Sequence, residues 1–317
     1  MSSFENIPSL DLNDFYNAES KASFVESLGN AYQEIGFVAI KNHKLDKDTQ
    51  DKLYHAVQQF FQLPDKVKQK YEDIKLKGQR GYIGKMKEHA KGRATGDLKE
   101  FYHIGQLHDK SDPDTNEYPD NIWPEEVPEL KEFGQKAFVA LEETGIIMLK
   151  AIALHLGLEE DYFDKKVKNG NSILRPIHYF PVPDPKSIPA DAVRAAEHGD
   201  INLITLLMGA SAEGLQVKRR DGKWIPITAL PNQLVVNVGD MLSRLTNNKL
   251  KSTIHRVVNP PKEKMTEPRF SIPFFMHPKS QMKLNCLESC IDADHPKKYK
   301  DITAGDFLMQ RLKEIGF

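Results

Sequence analysis

Apolar positions along this chain follow two periods, one helical and one strand-like, and the change from one to the other divides the sequence. In AESKASFVESLGNAYQEIGFVAI, Val25, Leu28, Tyr32 and Ile35 recur at helical spacing, which predicts a helix that stops at Gly36 and feeds a short strand. LDKDTQDKLYHAVQQFFQLP repeats the spacing through Leu53, Val57 and Phe60 or Phe61, and Pro64 ends it. His55 falls on the solvent flank of that helix. From Glu126 to about Leu158 the period is helical again, with Leu130, Phe133, Ala137 and Leu141 on one face and His155 closing it as a core or capping histidine. The tail DITAGDFLMQRLKEIGF predicts a last helix through Phe307, Leu308, Leu312 and Ile315.

After about Asn171 the texture becomes strand-like. SILRPIHYF, INLITLLM, GLQVKRRDGKWIPI, NQLVVNVGDML, KSTIHRVVN and RFSIPFFM are short β-rich runs separated by Pro, Gly and Asn, the pattern of an antiparallel sandwich or barrel. Asp221-Gly222 marks a hairpin turn, with Lys218, Arg219, Arg220 and Lys223 at its solvated tip. GQRGYIGKMKEHAKGRATGDLKEFYHIG shows no clear period and reads as a long functional loop. The proline-broken HDKSDPDTNEYPDNIWPEEVPEL is the best internal boundary. The expected organisation is a helix and strand region over residues 1–125, followed over 126–317 by a helix, a β core and a C-terminal helix. The fold class is mainly β with surrounding helices (α+β).

Composition narrows the function without naming it. At 317 residues the chain can bury a sizeable core without staples. Lys+Arg number 44 against Asp+Glu 45, so no overall field favours nucleic acid or an anionic membrane. The N-terminus is acidic and polar, and TGIIMLKAIALHLGL, interrupted by Lys150 and His155, falls short of the roughly 20 residues of a membrane span. The expectation is a cytoplasmic protein whose two cysteines, Cys286 and Cys290, are free thiols. Neither GxxxxGK[ST] nor GxGxxG occurs, so phosphate-loop and dinucleotide signatures are missing.

Candidate chemistry sits in the β-rich half. His198 and Asp200 flank Gly199 ahead of an apolar run, and residues two apart in extended chain share a face, so the pair can converge on one point. With 11 histidines in the chain, one His-x-Asp is unremarkable alone. His255, inside KSTIHRVVN, supplies a third group. Two imidazoles and a carboxylate leave three octahedral positions open, which suits non-haem Fe(II) oxygen chemistry, although a four-coordinate zinc site draws on the same ligand types. Arg269 and Ser271 in RFSIPFF also share a face, and an arginine fork with a hydroxyl beside it grips a carboxylate. HRVVNPPKEKMTEPRFS predicts a hairpin that brings Arg269 near His255, at the reach of a short dicarboxylic acid. Gly199 would leave the metal uncrowded.

The ordered series IPSLDL, GFVAIKNH, RGYIGKMKEHAKGR, DLKEFYHIG, LRPIHYFP, HGDINLITLL, GLQVKRRDGKWIPI, NVGDMLSRLTNNKLKSTIHRVVNP, RFSIPFF and TAGDFLMQRLKEIGF resembles, nearly end to end, the isopenicillin N synthase-like branch of the iron- and 2-oxoglutarate-dependent dioxygenases. The resemblance implies a double-stranded β-helix, a distorted jelly roll, with helices packed around it. It implies Fe(II) held by His198, Asp200 and His255, and 2-oxoglutarate anchored by Arg269 and Ser271 beside Tyr179. Phe180 stands where relatives often have proline. The implied reaction consumes O2, decarboxylates 2-oxoglutarate to succinate and oxidises a small-molecule substrate, usually by C–H hydroxylation, with no side chain acting as a general acid or base. Arg80, Tyr82, Tyr102 and Phe275 are the expected substrate contacts. Two other readings share these motifs: an isopenicillin N synthase-like Fe(II) oxidase that uses no 2-oxoglutarate, and a non-catalytic jelly-roll binding module, which would be expected to have lost one of the five central residues.

Overall fold

The computed structural model describes residues 6–107, 118–209, 213–227 and 232–315. In chain order, β1 (Ser9–Asp11) precedes α1 (Lys21–Glu34), β2 (Phe37–Lys41), α2 (Lys47–Gln62), the single turn α3 (Asp65–Lys68), β3 (Gly81–Ile83) and β4 (Glu100–Gly105). The long α4 (Pro128–His155) and short α5 (Asp164–Val167) lead to β5 (Ile173–Leu174), β6 (Ile177–Tyr179), β7 (Ala195–His198), β8 (Ile204–Met208), β9 (Leu215–Lys218) and β10 (Trp224–Pro226). β11 (Leu234–Val238), α6 (Asp240–Leu245), β12 (His255–Val257), β13 (Arg269–Met276) and α7 (Ala304–Glu314) follow.

The helices form where caps meet an apolar stripe. Asp46 accepts a hydrogen bond from the Thr49 amide at 2.8 Å and opens α2, whose Leu53, Ala56, Val57, Phe60 and Phe61 are buried. At the end of α1, Gly36 takes a φ of +76°, where an added Cβ would lie 2.3 Å from the Lys251 carbonyl, so the chain can turn at once into β2. His155 ends α4 as the core or capping histidine the pattern suggests. Its ring fills the space over Gly29 of α1 and meets Gln33 Nε2 at 2.7 Å.

Thirteen strands make two sheets among the described residues. The larger runs β1-β2-β11-β8-β13-β5-β4-β3, with β6 bridging β13 and β4. The smaller runs β10-β9-β12-β7. Every pairing is antiparallel except β1 with β2, and strands from the first 125 residues flank the larger sheet on both sides. One face of that sheet packs under the helices: Phe138 of α4 meets Phe274 edge-on with ring centroids 5.0 Å apart. Its other face meets the smaller sheet through Phe37, Ile177, Val217 and Val257, which is the layered core of a double-stranded β-helix.

Two local expectations change. The stretch from Gly78 to Gly105, read as loop, contains β3 and β4. No hairpin joins β12 to β13: β12 pairs with β7 and β9, β13 pairs with β8, β5 and β6, and the proline-containing segment crosses from one sheet to the other. The Asp-Gly hairpin does form, with Gly222 at φ +81° and the Arg219 amide donating to the Lys223 carbonyl at 2.8 Å. Residues 108–117 of the proposed boundary lie outside the described residues. Cys286 and Cys290 are buried free thiols, and no helix among the described residues is long and apolar enough to cross a membrane.

The turn from β11 into α6 positions the loop that carries Asp200. The Gly239 amide donates to the Leu203 carbonyl at 2.9 Å and the Asp240 amide to the Asp200 carbonyl at 2.7 Å, while a Cβ on Gly239 would lie 2.1 Å from the Asn202 carbonyl oxygen. Gly239→Ala is therefore expected to destabilise the fold by about 1–3 kcal/mol, the usual cost of overpacking, read from its urea denaturation midpoint. An unchanged midpoint would mean that the loop yields freely.

Candidate active site

A cavity of about 450 Å³ opens between the two sheets. On the smaller sheet His255 lies directly opposite His198, with ring centroids 4.4 Å apart. Asp200 stands two residues beyond the end of β7. One ligand atom from each of the three lies within 4.8 Å of the others, and His255 Nε2 is 3.6 Å from Asp200 Oδ1.

The neighbours of these groups set their chemistry. His198 Nδ1 meets the Ala196 carbonyl at 2.6 Å and His255 Nδ1 the Thr253 carbonyl at 3.2 Å. A carbonyl only accepts, so each Nδ1 carries the proton and each Nε2 keeps its lone pair for the site. Asp200 Oδ2 accepts from Thr205 Oγ1 at 2.6 Å and Asn237 Nδ2 at 2.8 Å, which leaves Oδ1 free to face the imidazoles. Burial works to raise the Asp200 pKa, but His255, His198 and the two hydrogen bonds outweigh it and hold the carboxyl below its usual range. Burial, with His255 beside it, pushes His198 down to about 4, so the imidazole is neutral at neutral pH. Two imidazole nitrogens and a carboxylate oxygen, each side chain oriented by a second partner, are the donor set that a divalent transition metal takes up. Gly199 serves a different neighbour from the one expected: its missing Cβ would lie 3.0 Å from Ser252 Oγ and 3.1 Å from Asp240 Oδ1, so it clears the Ser252–Asp240 contact.

The opposite wall is the cavity face of β13. Alternate residues Arg269, Ser271, Pro273 and Phe275, then His277 beyond the strand, line the cavity, while Phe270, Ile272, Phe274 and Met276 enter the helix-covered core. Arg269 is fully buried, donates from Nε to the Glu213 carbonyl at 3.2 Å and lies 4.8 Å from the ring of Tyr179, its partner on β6. Ser271 is buried beside it.

Of the expected substrate contacts, only Phe275 lines the cavity. Arg80 is buried under Gly105 and donates to the Gln79 carbonyl at 2.7 Å. Tyr82 donates to the Glu100 carboxylate and Tyr102 to the Ile122 carbonyl, both on the helix side of the sheet. The cavity instead holds a charged network that the sequence reading passed over. Lys99 Nζ bridges Glu88 at 2.8 Å and Asp97 at 2.9 Å, Arg175 Nη1 reaches both oxygens of Glu88 at 3.2 Å, and Arg175 Nε donates to His103. Burial raises the pKa of Glu88, but Arg175 and Lys99 overcome it and hold the carboxyl below its usual range. Burial with Arg175 nearby keeps His103 neutral. Two cations thus balance two carboxylates. Alternation was the available signal, since Asp97, Lys99, Phe101 and His103 share one face of DLKEFYHIG.

Comparison with known proteins agrees with this geometry. Residues 7–126 match the profile described as non-haem dioxygenase in morphine synthesis N-terminal, and residues 170–278 match the 2OG-Fe(II) oxygenase superfamily. The 2-oxoglutarate-Fe(II) type oxidoreductase hxnY of Emericella nidulans is 30% identical over 97% of this chain and 89% of its own. A crystal structure of a 2OG-Fe(II) oxygenase family protein from Caulobacter crescentus is 42% identical, with a TM-score of 0.86 over 97% of this chain and 98% of that one. A full-length Neurospora crassa protein, crystallised in complex with alpha-KG and thymine, is 31% identical, with a TM-score of 0.85 over 99% and 98% of the two chains. The chain belongs to the 2OG-Fe(II) oxygenase superfamily, in its isopenicillin N synthase-like branch, and is a non-haem Fe(II)- and 2-oxoglutarate-dependent dioxygenase.

Proposed function

We propose that Arg269 and Ser271, with Tyr179 beside them, hold the distal carboxylate of 2-oxoglutarate, and that the outer part of the cavity takes a small molecule whose C–H bond is hydroxylated. The observation that carries this reading is the buried Arg269 guanidinium facing the His198, Asp200 and His255 cluster across one cavity. Iron held by those three residues supplies the oxidation, in which R–H, 2-oxoglutarate and O2 yield R–OH, succinate and CO2.

The remaining work belongs to the side chains. Arg269 offers a planar fork that fixes the orientation of a carboxylate, and the Ser271 hydroxyl adds a donor on the same face. Thr205 and Asn237 keep Asp200 ionised and aimed. Ile177, Leu207, Leu215 and Val257 give the cavity apolar walls that limit water around a reactive centre. Phe275, farther along the same strand face, meets the substrate. A small-molecule substrate also accords with the thymine held by the Neurospora crassa relative.

Two experiments test the assignment. Anaerobic addition of 2-oxoglutarate to the Fe(II)-loaded protein is expected to produce a visible charge-transfer absorption, and Asp200→Ala is expected to lose iron binding, that absorption and turnover. A native protein that binds Fe(II) but shows no absorption with 2-oxoglutarate would favour the oxidase alternative. Arg269→Ala is expected to raise the 2-oxoglutarate concentration for half-maximal succinate formation roughly 30-fold or more, because removing the charged partner of a buried carboxylate costs about 2–5 kcal/mol. An unchanged requirement would move the anchor elsewhere.

A further inference from the structure

Among the polar atoms of the cavity-lining residues that have no hydrogen-bond partner among the described residues are Asn171 Oδ1 and His277 Nδ1. Both side chains are more than nine-tenths buried, at 8% and 7% exposure. A buried polar atom without a partner is costly, and native proteins rarely keep one unless something else bonds it.

Strand register puts the two together. Phe274 lies opposite Leu174 and Phe275 opposite Ile173, so two positions further out His277 faces Asn171. Backbone contacts hold that extension: the Asn171 amide donates to the Pro278 carbonyl at 3.3 Å, and the His277 amide to Ser172 Oγ at 3.3 Å. Directly opposed residues of antiparallel chains project to the same side, so the pair stands on the cavity face next to the Phe275 ring. It lies outward along β13 from the carboxylate anchor.

The surroundings select the chemistry of what fits there. Burial, helped by Arg175, pushes His277 down to about 4, so its ring is neutral and offers one N–H and one lone pair. The Asn171 carboxamide likewise offers a donor and an acceptor. The nearby charges are already committed, Arg175 to both oxygens of Glu88 and Lys99 to Glu88 and Asp97. A charged substrate group would meet, in Arg175 and Lys99, buried cations that already have carboxylate partners, and a buried unpaired charge is strongly disfavoured.

We infer that Asn171 and His277 form the substrate-recognition pole, and that the substrate presents to them an uncharged edge bearing both N–H and C=O, as in a lactam, imide or cyclic urea, with its ring against Phe275. The inference rests on the dioxygenase reading of the site and adds to it the class of molecule oxidised.

The test uses the full chain loaded with Fe(II) and 2-oxoglutarate, with succinate formation measured beside the charge-transfer absorption. The probes are 2-pyrrolidinone, succinimide, uracil and thymine, set against 1,3-dimethylthymine, cyclopentanecarboxylate and pyrrolidine. At least one of the four uncharged N–H compounds is expected to raise succinate formation at least tenfold over the rate without it, and the last three are not. For that compound, Asn171→Leu and His277→Phe should each raise KM about tenfold, and His277→Gln, which keeps a polar group, should recover most of the loss. The inference is overturned if charged or N-methylated probes stimulate as well as the N–H compounds, if none of the four stimulates, or if KM is unchanged in both apolar variants. An intact absorption alongside any of those results confines the failure to the substrate class, whereas a missing absorption in the native protein removes the underlying reading.

Discussion

The period-two alternation of β13 is the constraint on which the rest of the structure depends. One strand must satisfy two incompatible surroundings, and it does so by sending Phe270, Ile272, Phe274 and Met276 into the helix-covered core and Arg269, Ser271, Pro273, Phe275 into the cavity. A slip of one residue would exchange the faces and bury the wrong set. Register is pinned on both sides, by five pairs with β8 and by β5 and β6. Pro273 belongs to the same solution. A proline in a central strand lacks a donor; the Pro273 carbonyl accepts from the Arg175 amide at 2.9 Å, so its missing N–H falls at the break between β5 and β6, where the ladder is already interrupted.

The two sheets then divide the labour electrostatically. The smaller sheet and the loop after β7 bring the imidazoles and the Asp200 carboxylate together, and Thr205 and Asn237, both from the larger sheet, reach across to hold that carboxylate. The larger sheet contributes Arg269, so opposite charges face one another over the cavity without closing on each other. The Glu88, Asp97, Lys99 and Arg175 network also lines the cavity yet is neutral as a group, because each cation is paired with a buried carboxylate. Breaking such a buried network by removing one member is far more damaging than any net stability it supplies.

Much of this was legible in the sequence because local period and local chemistry coincide. The helices α1, α2, α4 and α7 have both an amphipathic stripe and a stop, and His198, Asp200, His255, Arg269 and Ser271 form a pattern that short-range spacing can expose. What the sequence hid is pairing. HRVVNPPKEKMTEPRFS has every local feature of a hairpin, yet its strands belong to different sheets, because β12 finds better partners in β7 and β9. The path between them still delivers Arg269 to the cavity that His255 lines. Gly199 shows the converse: its place between two ligands suggested room for a metal, whereas the space it leaves is taken up by Ser252 and Asp240.

The two misplaced tyrosines have a single physical origin. Tyr82 and Tyr102 lie directly opposite each other on β3 and β4, so they share a face, and that face is the one under the helices, where Phe60 packs edge-on against both rings. Their neighbours Phe101 and His103 point the other way, toward Arg175 and the cavity. Which parity of DLKEFYHIG looks inward is undecidable from that segment, because both faces are buried and both carry polar and apolar groups. It is decided across the sheet: β4 pairs with β5 and β6, these pair with β13, and β13 turns its buried Arg269 and Ser271 to the cavity. Facing is therefore inherited strand by strand from the one element whose chemistry admits a single orientation, and Asn171 and His277 acquire their place in the cavity by the same inheritance.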